Sequence, residues 1–180
     1  MAPGLRKFVL SAHITVSVGW IGAVMAYIAL DLWGERARDG EALRSAYLGM
    51  DLIARNVIVP LALASVLTGL VVSLATKWGL FRHYWVAISF VMTVIATVVL
   101  LIETRTIGAL AEIAADPTTS VEVLRALPST LVHSIGGTVV LLVVLVLNMY
   151  KPQGMTRYGW RKQQQERLRR QEQREAVLQS

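Results

Sequence analysis

The chain has 180 residues, 54% of them hydrophobic and 17% charged, with a formal net charge of +6. Soluble domains are about one quarter charged; here the charges are missing from four long stretches and crowded between them. The absence of cysteine excludes disulfides, thiolate metal sites, iron–sulfur clusters and thioether-linked haem.

The first uncharged stretch, between Lys7 and Asp31, runs from Phe8 to Leu30. It is longer than a secretory signal core of about 7–15 apolar residues, so an uncleaved span is expected. Ser11, Thr15, Gly19 and Ala23, extended by Gly22 and Ala26, make a small-residue stripe of the kind that lets helices approach closely in lipid. The opposite face carries His13, Ser17, Trp20, Tyr27 and Asp31. The loop that follows turns at Asp39-Gly40, and Leu43, Tyr47, Leu48, Leu52 and Ile53 recur at near-helical spacing, which predicts an amphipathic lead-in to the next span.

The second stretch runs from Asn56 to Thr76 and has a packing stripe of Ser65, Gly69 and Ser73. A short loop makes it an antiparallel neighbour of the third, His83 to Ile102. The next loop breaks at Asp116-Pro117, and Thr119-Ser120-Val121-Glu122 fits a capping box that opens a short helix before Pro128. The fourth stretch, uncharged from Ala126 to Tyr150, carries Gly136 and Gly137. From Arg161 to Ser180 the chain is rich in Gln, Arg and Glu, a solvated helix or a disordered tail.

A hydrocarbon core of about 30 Å takes about 20 helical residues, and each of the four stretches meets that length. Every backbone N–H and C=O inside the core must be paired within the protein, and no stretch alternates as a barrel strand would. The fold class is therefore all-α: a four-helix transmembrane bundle over 1–150, with spans near 8–30, 56–76, 83–102 and 129–150. Amphipathic segments occupy the outer loops, and 151–180 is a basic cytoplasmic tail. Twelve Lys and Arg flank the inner ends of the spans against six in the first and third loops, which places both termini in the cytoplasm of a bacterial plasma membrane. Trp33 marks the outer interface, and Trp78, Tyr84, Trp85 and Tyr150 the inner one. Trp20, in mid-span, packs on protein or lipid tails.

Three histidines invite chemistry, since neutral imidazole binds metals and haem. His13 lies about 8 Å from the inner boundary and His133 about 25 Å from it, too far apart for one iron. His13 and His83 are the candidate cofactor-binding pair, provided the first and third spans adjoin. Asp31, Glu103 and His133 fall within about a turn of the outer boundary on three helices. Two carboxylates and an imidazole suit a metal ion or a proton; three interfacial residues facing headgroups are the plainer alternative. No span has a charge at its centre, unlike ion-coupled carriers with a midplane site. Phosphate-loop, zinc-protease and nucleophile-elbow motifs are absent, and no residue is assigned as catalytic.

His13 with Trp20 and Gly22, the run Arg55-Asn56-Val57-Ile58-Val59-Pro60 leading to Thr68-Gly69, and the closing His133-Ser134-Ile135-Gly136-Gly137 together resemble a bacterial superfamily. It includes HemJ-type protoporphyrinogen oxidases, CopD-type copper-resistance proteins and uncharacterised actinobacterial four-helix proteins, to which Tyr150–Trp160 is also similar. The resemblance covers roughly residues 8–160 and implies a haem- or porphyrin-related role with His13 as the functional histidine. HemJ-type proteins are expected to have a lysine shortly after the third-span tryptophan, whereas here Ser89 follows Trp85.

The leading expectation is a non-enzymatic membrane partner or scaffold, meeting the lipid bilayer and a second copy or another membrane protein. The alternative is a redox protein binding haem b or a metal ion through His13. A small-molecule carrier is third. No nucleic acid partner is expected; the basic tail suits anionic headgroups.

Overall fold

The computed structural model describes residues 2–75 and 79–179. The end of the second span at Thr76, the inner-loop Lys77 and the interfacial Trp78 lie outside the described residues, as do Met1 and the final tail residue, Ser180. The helices are α1 (Pro3–Arg36), α2 (Gly40–Ile53), α3 (Val59–Ala75), α4 (Tyr84–Ala115), α5 (Val121–Arg125), α6 (Leu131–Tyr150) and α7 (Arg157–Leu178), with a π-helical turn at Ala54–Ile58. Among the described residues there is no strand; His83 and Met155 form one isolated bridge.

Four helices are long and apolar enough to cross a membrane. Within their most apolar windows only 11–22% of residues are buried by protein. Ile14, Val18, Leu67, Val91, Ile95, Val139 and Val146 are among the exposed remainder, a surface far too apolar for water to cover. The chain is an all-α membrane-spanning bundle.

α1 packs on α3, α3 on α4, α4 on α6 and α6 on α1. This ring leaves α1 and α4 at opposite corners. The lead-in helix and the second span are not separate: α2, the π turn and α3 form one continuous run of 36 residues, Gly40–Ala75. Pro60 explains the π turn, since it has no N–H and its ring crowds the carbonyl four residues back. Widening the preceding turn relieves that crowding. Val59 N donates to Ala54 O there, and the Asn56 side chain donates to Leu52 O at 3.0 Å.

At 1.5 Å per residue, α1, α2–α3 and α4 are about 50 Å long but α6 only about 30 Å. α6 therefore matches a hydrocarbon core, and the other three overrun it by about 20 Å. The overrun gathers at one end, where α2 packs on α1, α4 and α5 to form a cap. Asp39 caps α2 by accepting from Ala42 N at 2.7 Å. Gly34 lies so close to Ala46 that a Cβ there would sit 2.8 Å from the alanine methyl. Arg44 of α2 donates to Ala114 O at 2.7 Å, to Asp116 O at 2.5 Å and to Thr119 O. Those carbonyls lie at and just beyond the C-terminus of α4, where a cation is favoured. α5 starts one residue later than the capping box implies: the Ser120 hydroxyl, not that of Thr119, accepts from Val123 N.

The apolar core lies mostly in the cap half, built on Trp20, Tyr27, Met50, Ile107, Leu124 and Leu141. On α1 the face that enters the bundle is the one with Trp20, Val24, Tyr27 and Asp31. Most of the small-residue stripe faces away, with Ser11, Thr15, Gly22 and Ala26 exposed; Gly19 meets α3 beside Leu61, and Ala23 packs against the core. Large side chains filling a seam from both sides bury more apolar area than a glycine stripe would. Ser65 and Ser73 of α3 are buried, whereas a Cβ on Gly136 or Gly137 of α6 would touch nothing within 4 Å. Trp33, Tyr84 and Tyr150 are exposed, but Trp85 turns inward.

At the opposite end the tail is helical and strapped to the α3–α4 loop. Thr156 N donates to Arg82 O at 3.0 Å, and its hydroxyl donates to Phe81 O at 2.5 Å while accepting from Gly159 N at 3.0 Å. Gly159 presses on the Arg82 carbonyl, with no room for a Cβ. Arg82 also pairs with Glu166 at 2.5 Å.

Candidate functional site

The most polar layer of the bundle lies where the apolar windows meet the cap. Asp31 on α1 and Thr130, the residue before α6, are 5% and 7% exposed, and Tyr27 one turn below Asp31 is 3% exposed. The Thr130 hydroxyl donates to Asp31 Oδ2 at 2.5 Å. Its proton is then committed, so the 2.7 Å contact with Tyr27 Oη has the tyrosine as donor. Three groups on two helices thus form one chain, Tyr27 to Thr130 to Asp31. Among the described residues no cation pairs with Asp31. A buried carboxylate without a countercharge is expensive and marks function by default.

Glu103 on α4 and His133 on α6 sit in the same layer. His133 Nε2 is 3.7 Å from Glu103 Oε1. Asp31, Glu103 and His133 do not assemble into a metal-holding group; none exists among the described residues. The reason is local: Thr130 occupies the Asp31 carboxylate, while Glu103 turns to His133.

Two cavities flank this layer. Below it, an apolar cavity of about 80 Å3 lies between α1, the π turn, α4 and α6. Trp20, Ile58, Leu100 and Leu141 form its walls, and Tyr27, Glu103, Thr130 and His133 its polar end. Exposed Val99 and His133 stand at its rim. Above the layer, inside the cap, a larger vestibule of about 640 Å3 is lined by Asp31, Glu35, Arg38, Tyr47, Arg125 and Ser129, with Met50 and Leu124 behind them. Glu35, Arg38 and Arg125 are at least partly exposed, so the vestibule opens to the surroundings of the cap. Its wall is fixed by Arg125, which donates to Arg38 O at 2.6 Å, and by Ser129, which donates to Glu35 at 2.7 Å.

His13 is elsewhere, in the tail half of the α1–α3 seam. Its Nδ1 lies 3.0 Å from Thr68 Oγ1, and Ser17 and Ser65 meet beside it at 2.8 Å. Thr68 donates its own proton to Ala64 O at 2.6 Å. Nδ1 is therefore the protonated nitrogen, and Nε2 carries the lone pair. The ring lies against Gly69, where a Cβ would come within 3.0 Å of Cε1. His83 precedes α4 at the tail end. α1 and α4 are diagonal, so the adjoining helices that a His13–His83 pair needs are not present.

Sequence spacing singles out Tyr27, Asp31, Glu103 and His133 but not Thr130, which joins α1 to α6. The only signal for Thr130 is a hydroxyl at the head of the fourth span, level with Asp31. Glu35, Arg38 and Tyr47 acquire a role only through the overrun of α1 and α2.

Fold and site define a class: a four-span α-helical membrane protein with a buried polar layer between an apolar cavity and a polar vestibule. In comparisons with known proteins, no family model matches the chain, and no curated protein or solved structure matches it significantly.

Proposed function

We propose that this is a non-enzymatic membrane protein that binds a small lipid-soluble molecule in the cavity between α1, the π turn, α4 and α6. The cap would stand on the non-cytoplasmic side of a bacterial plasma membrane, as the Lys and Arg distribution favours. The carrying observation is the cavity itself, with apolar walls and the polar side chains of Tyr27, Glu103, Thr130, His133 and Ser134. Binding sites for small molecules have that make-up, hydrophobic lining with few convergent polar groups. The π turn supplies two of its wall residues, Ala54 and Ile58, and such turns recur at functional sites. The ligand class is an apolar ring or chain bearing one hydroxyl or carbonyl, its head on Tyr27 or Glu103 and its body in apolar surroundings. This narrows the partner-or-scaffold expectation to ligand binding.

Gly137 provides the test. It lines the cavity, and a Cβ there meets nothing within 4 Å, so Gly137→Leu has room to start its side chain into the space. Mass spectrometry of gently purified protein is expected to find a lipophile retained by the parent chain and by Gly136→Leu, and lost from Gly137→Leu. Equal recovery from all three refutes the assignment.

One observation favours a second reading, a haem- or metal-binding protein. The Thr68 contact orients the His13 ring through Nδ1, the arrangement of a ligating histidine held by an outer partner. It predicts a Soret band or stoichiometric metal in protein from iron-replete cells, abolished by His13→Ala. A colourless, metal-free preparation rejects it.

A further inference from the structure

We propose that Tyr27, Thr130 and Asp31 form a proton relay that carries the proton of a hydroxyl-bearing ligand from the apolar cavity to the vestibule of the cap. The inference rests on the ligand-binding assignment above and adds a directed acid–base step to it. Tyr27 and Thr130 line the cavity; Asp31 lines the vestibule. The three are linked by contacts of 2.7 and 2.5 Å, within the range for proton-sharing O–H···O bonds. All three are buried, and their side chains join the two spaces across the layer.

The step balances without a co-reactant. A ligand O–H gives its proton to the tyrosine oxygen as the tyrosine proton passes to Thr130. The threonine proton passes to the Asp31 carboxylate. Tyr27 and Thr130 end as they began; the ligand becomes an oxyanion and Asp31 a neutral acid. Return occurs by the reverse shift, or from the vestibule after Asp31 releases its proton there. A ligand with an acidic hydroxyl, a phenol or an enol, suits this step; an ether or a hydrocarbon does not.

The charges around the relay divide by side. Glu35 of α1, Arg38 of the loop after it, Arg125 of α5 and Tyr47 of α2 face the vestibule with Asp31. Glu103 of α4 and His133 of α6 face the cavity.

4-Nitrophenol is a suitable probe, a single-ring acidic phenol whose ground-state anion absorbs visible light while its neutral form does not. The full chain in detergent is titrated with it below the probe's own pKa, where free probe is neutral, and the anion band is read from the bound fraction. The parent protein is expected to bind nitrophenol and show the anion band; binding of the neutral form alone overturns the relay. Thr130→Val and Asp31→Asn should keep binding within about twofold yet lose at least tenfold of the anion signal, while Thr130→Ser restores it. Tyr27→Phe, which removes a ligand contact, should weaken binding as well. Gly137→Leu should abolish binding. An anion band unchanged in Thr130→Val and Asp31→Asn, with binding intact, overturns the relay and leaves the cavity standing. Nitrophenol binding that ignores Gly137→Leu overturns both. Should Thr130→Val fail to fold, the comparison of Asp31→Asn with the parent decides alone.

Discussion

Arg44 is the side chain on which the cap depends most, and Arg44→Met tests that dependence. Its guanidinium reaches three carbonyls at and beyond the end of α4 from a position on α2. A hydrogen bond to a charged group contributes about 1.5–3 kcal/mol. Three would sum to about 4–9 kcal/mol, but Arg44 is only half-buried, and water can replace part of what is lost. About 2–4 kcal/mol is the expected cost. For a chain of this length 1 kcal/mol moves the midpoint by roughly 2–4 °C, so unfolding in detergent, followed by tryptophan fluorescence, should shift down by roughly 5–15 °C. Methionine keeps most of the aliphatic stem, so the loss reports the guanidinium. Arg44→Lys should fall between, because an ammonium is a point charge without the planar fork. Arg44→Met melting within about 1 °C of the parent would refute the claim that this guanidinium closes the end of α4.

Gly34→Val should destabilise the α1–α2 contact by about 1–3 kcal/mol, since a Cβ would press on Ala46; Gly22→Val, with open space around it, is the control in the same melting assay. The Arg82 hydrogen bond holds the Glu166 carboxyl below its ordinary value of 4.5. A lowered carboxyl stabilises docking of α7 above the ordinary value, and that contribution is lost as pH falls through the lower bound-state value. Hydrogen exchange over residues 157–166, corrected for intrinsic rates, should therefore rise in acid for the parent, while Glu166→Gln shows the acid-like rate at neutral pH. Thr156→Val removes the strap to Phe81 and the cap of α7 together. It should expose the bonds after Arg157 and Arg161 to trypsin several-fold faster without altering the melting of the bundle.

The spans were legible because lipid imposes a blunt rule: an uncharged run of about 20 residues has few other uses. Helix-end chemistry was legible to within a residue, as Ser120 in place of Thr119 shows. Packing faces were legible in part. On α3 the stripe of Ser65, Gly69 and Ser73 does face the bundle. On α1 most of the small-residue stripe is exposed, because its contribution depends on what lies opposite, and the heavier face with Trp20 and Tyr27 went inward. The union of α2 with α3 was hidden for a related reason: Arg55 ends an uncharged run without ending a helix. Of the site, the depth arithmetic picked out Asp31, Glu103 and His133, but which groups bond is a matter of helix rotation. Thr130 has no feature in the sequence that sets it apart from other threonines.

The π turn also acts as a phase shifter. Leu43, Tyr47 and Met50 above it and Ala62 and Ser65 below it are buried along a single continuous rod, and the wide turn absorbs its extra residue so that the two halves of the rod stay in angular step. Deleting one residue there would return an ordinary α turn and leave both faces in step, whereas inserting a second extra residue would rotate everything upstream by about 100°, swinging Tyr47 off the vestibule while leaving the lipid-embedded half of the rod undisturbed.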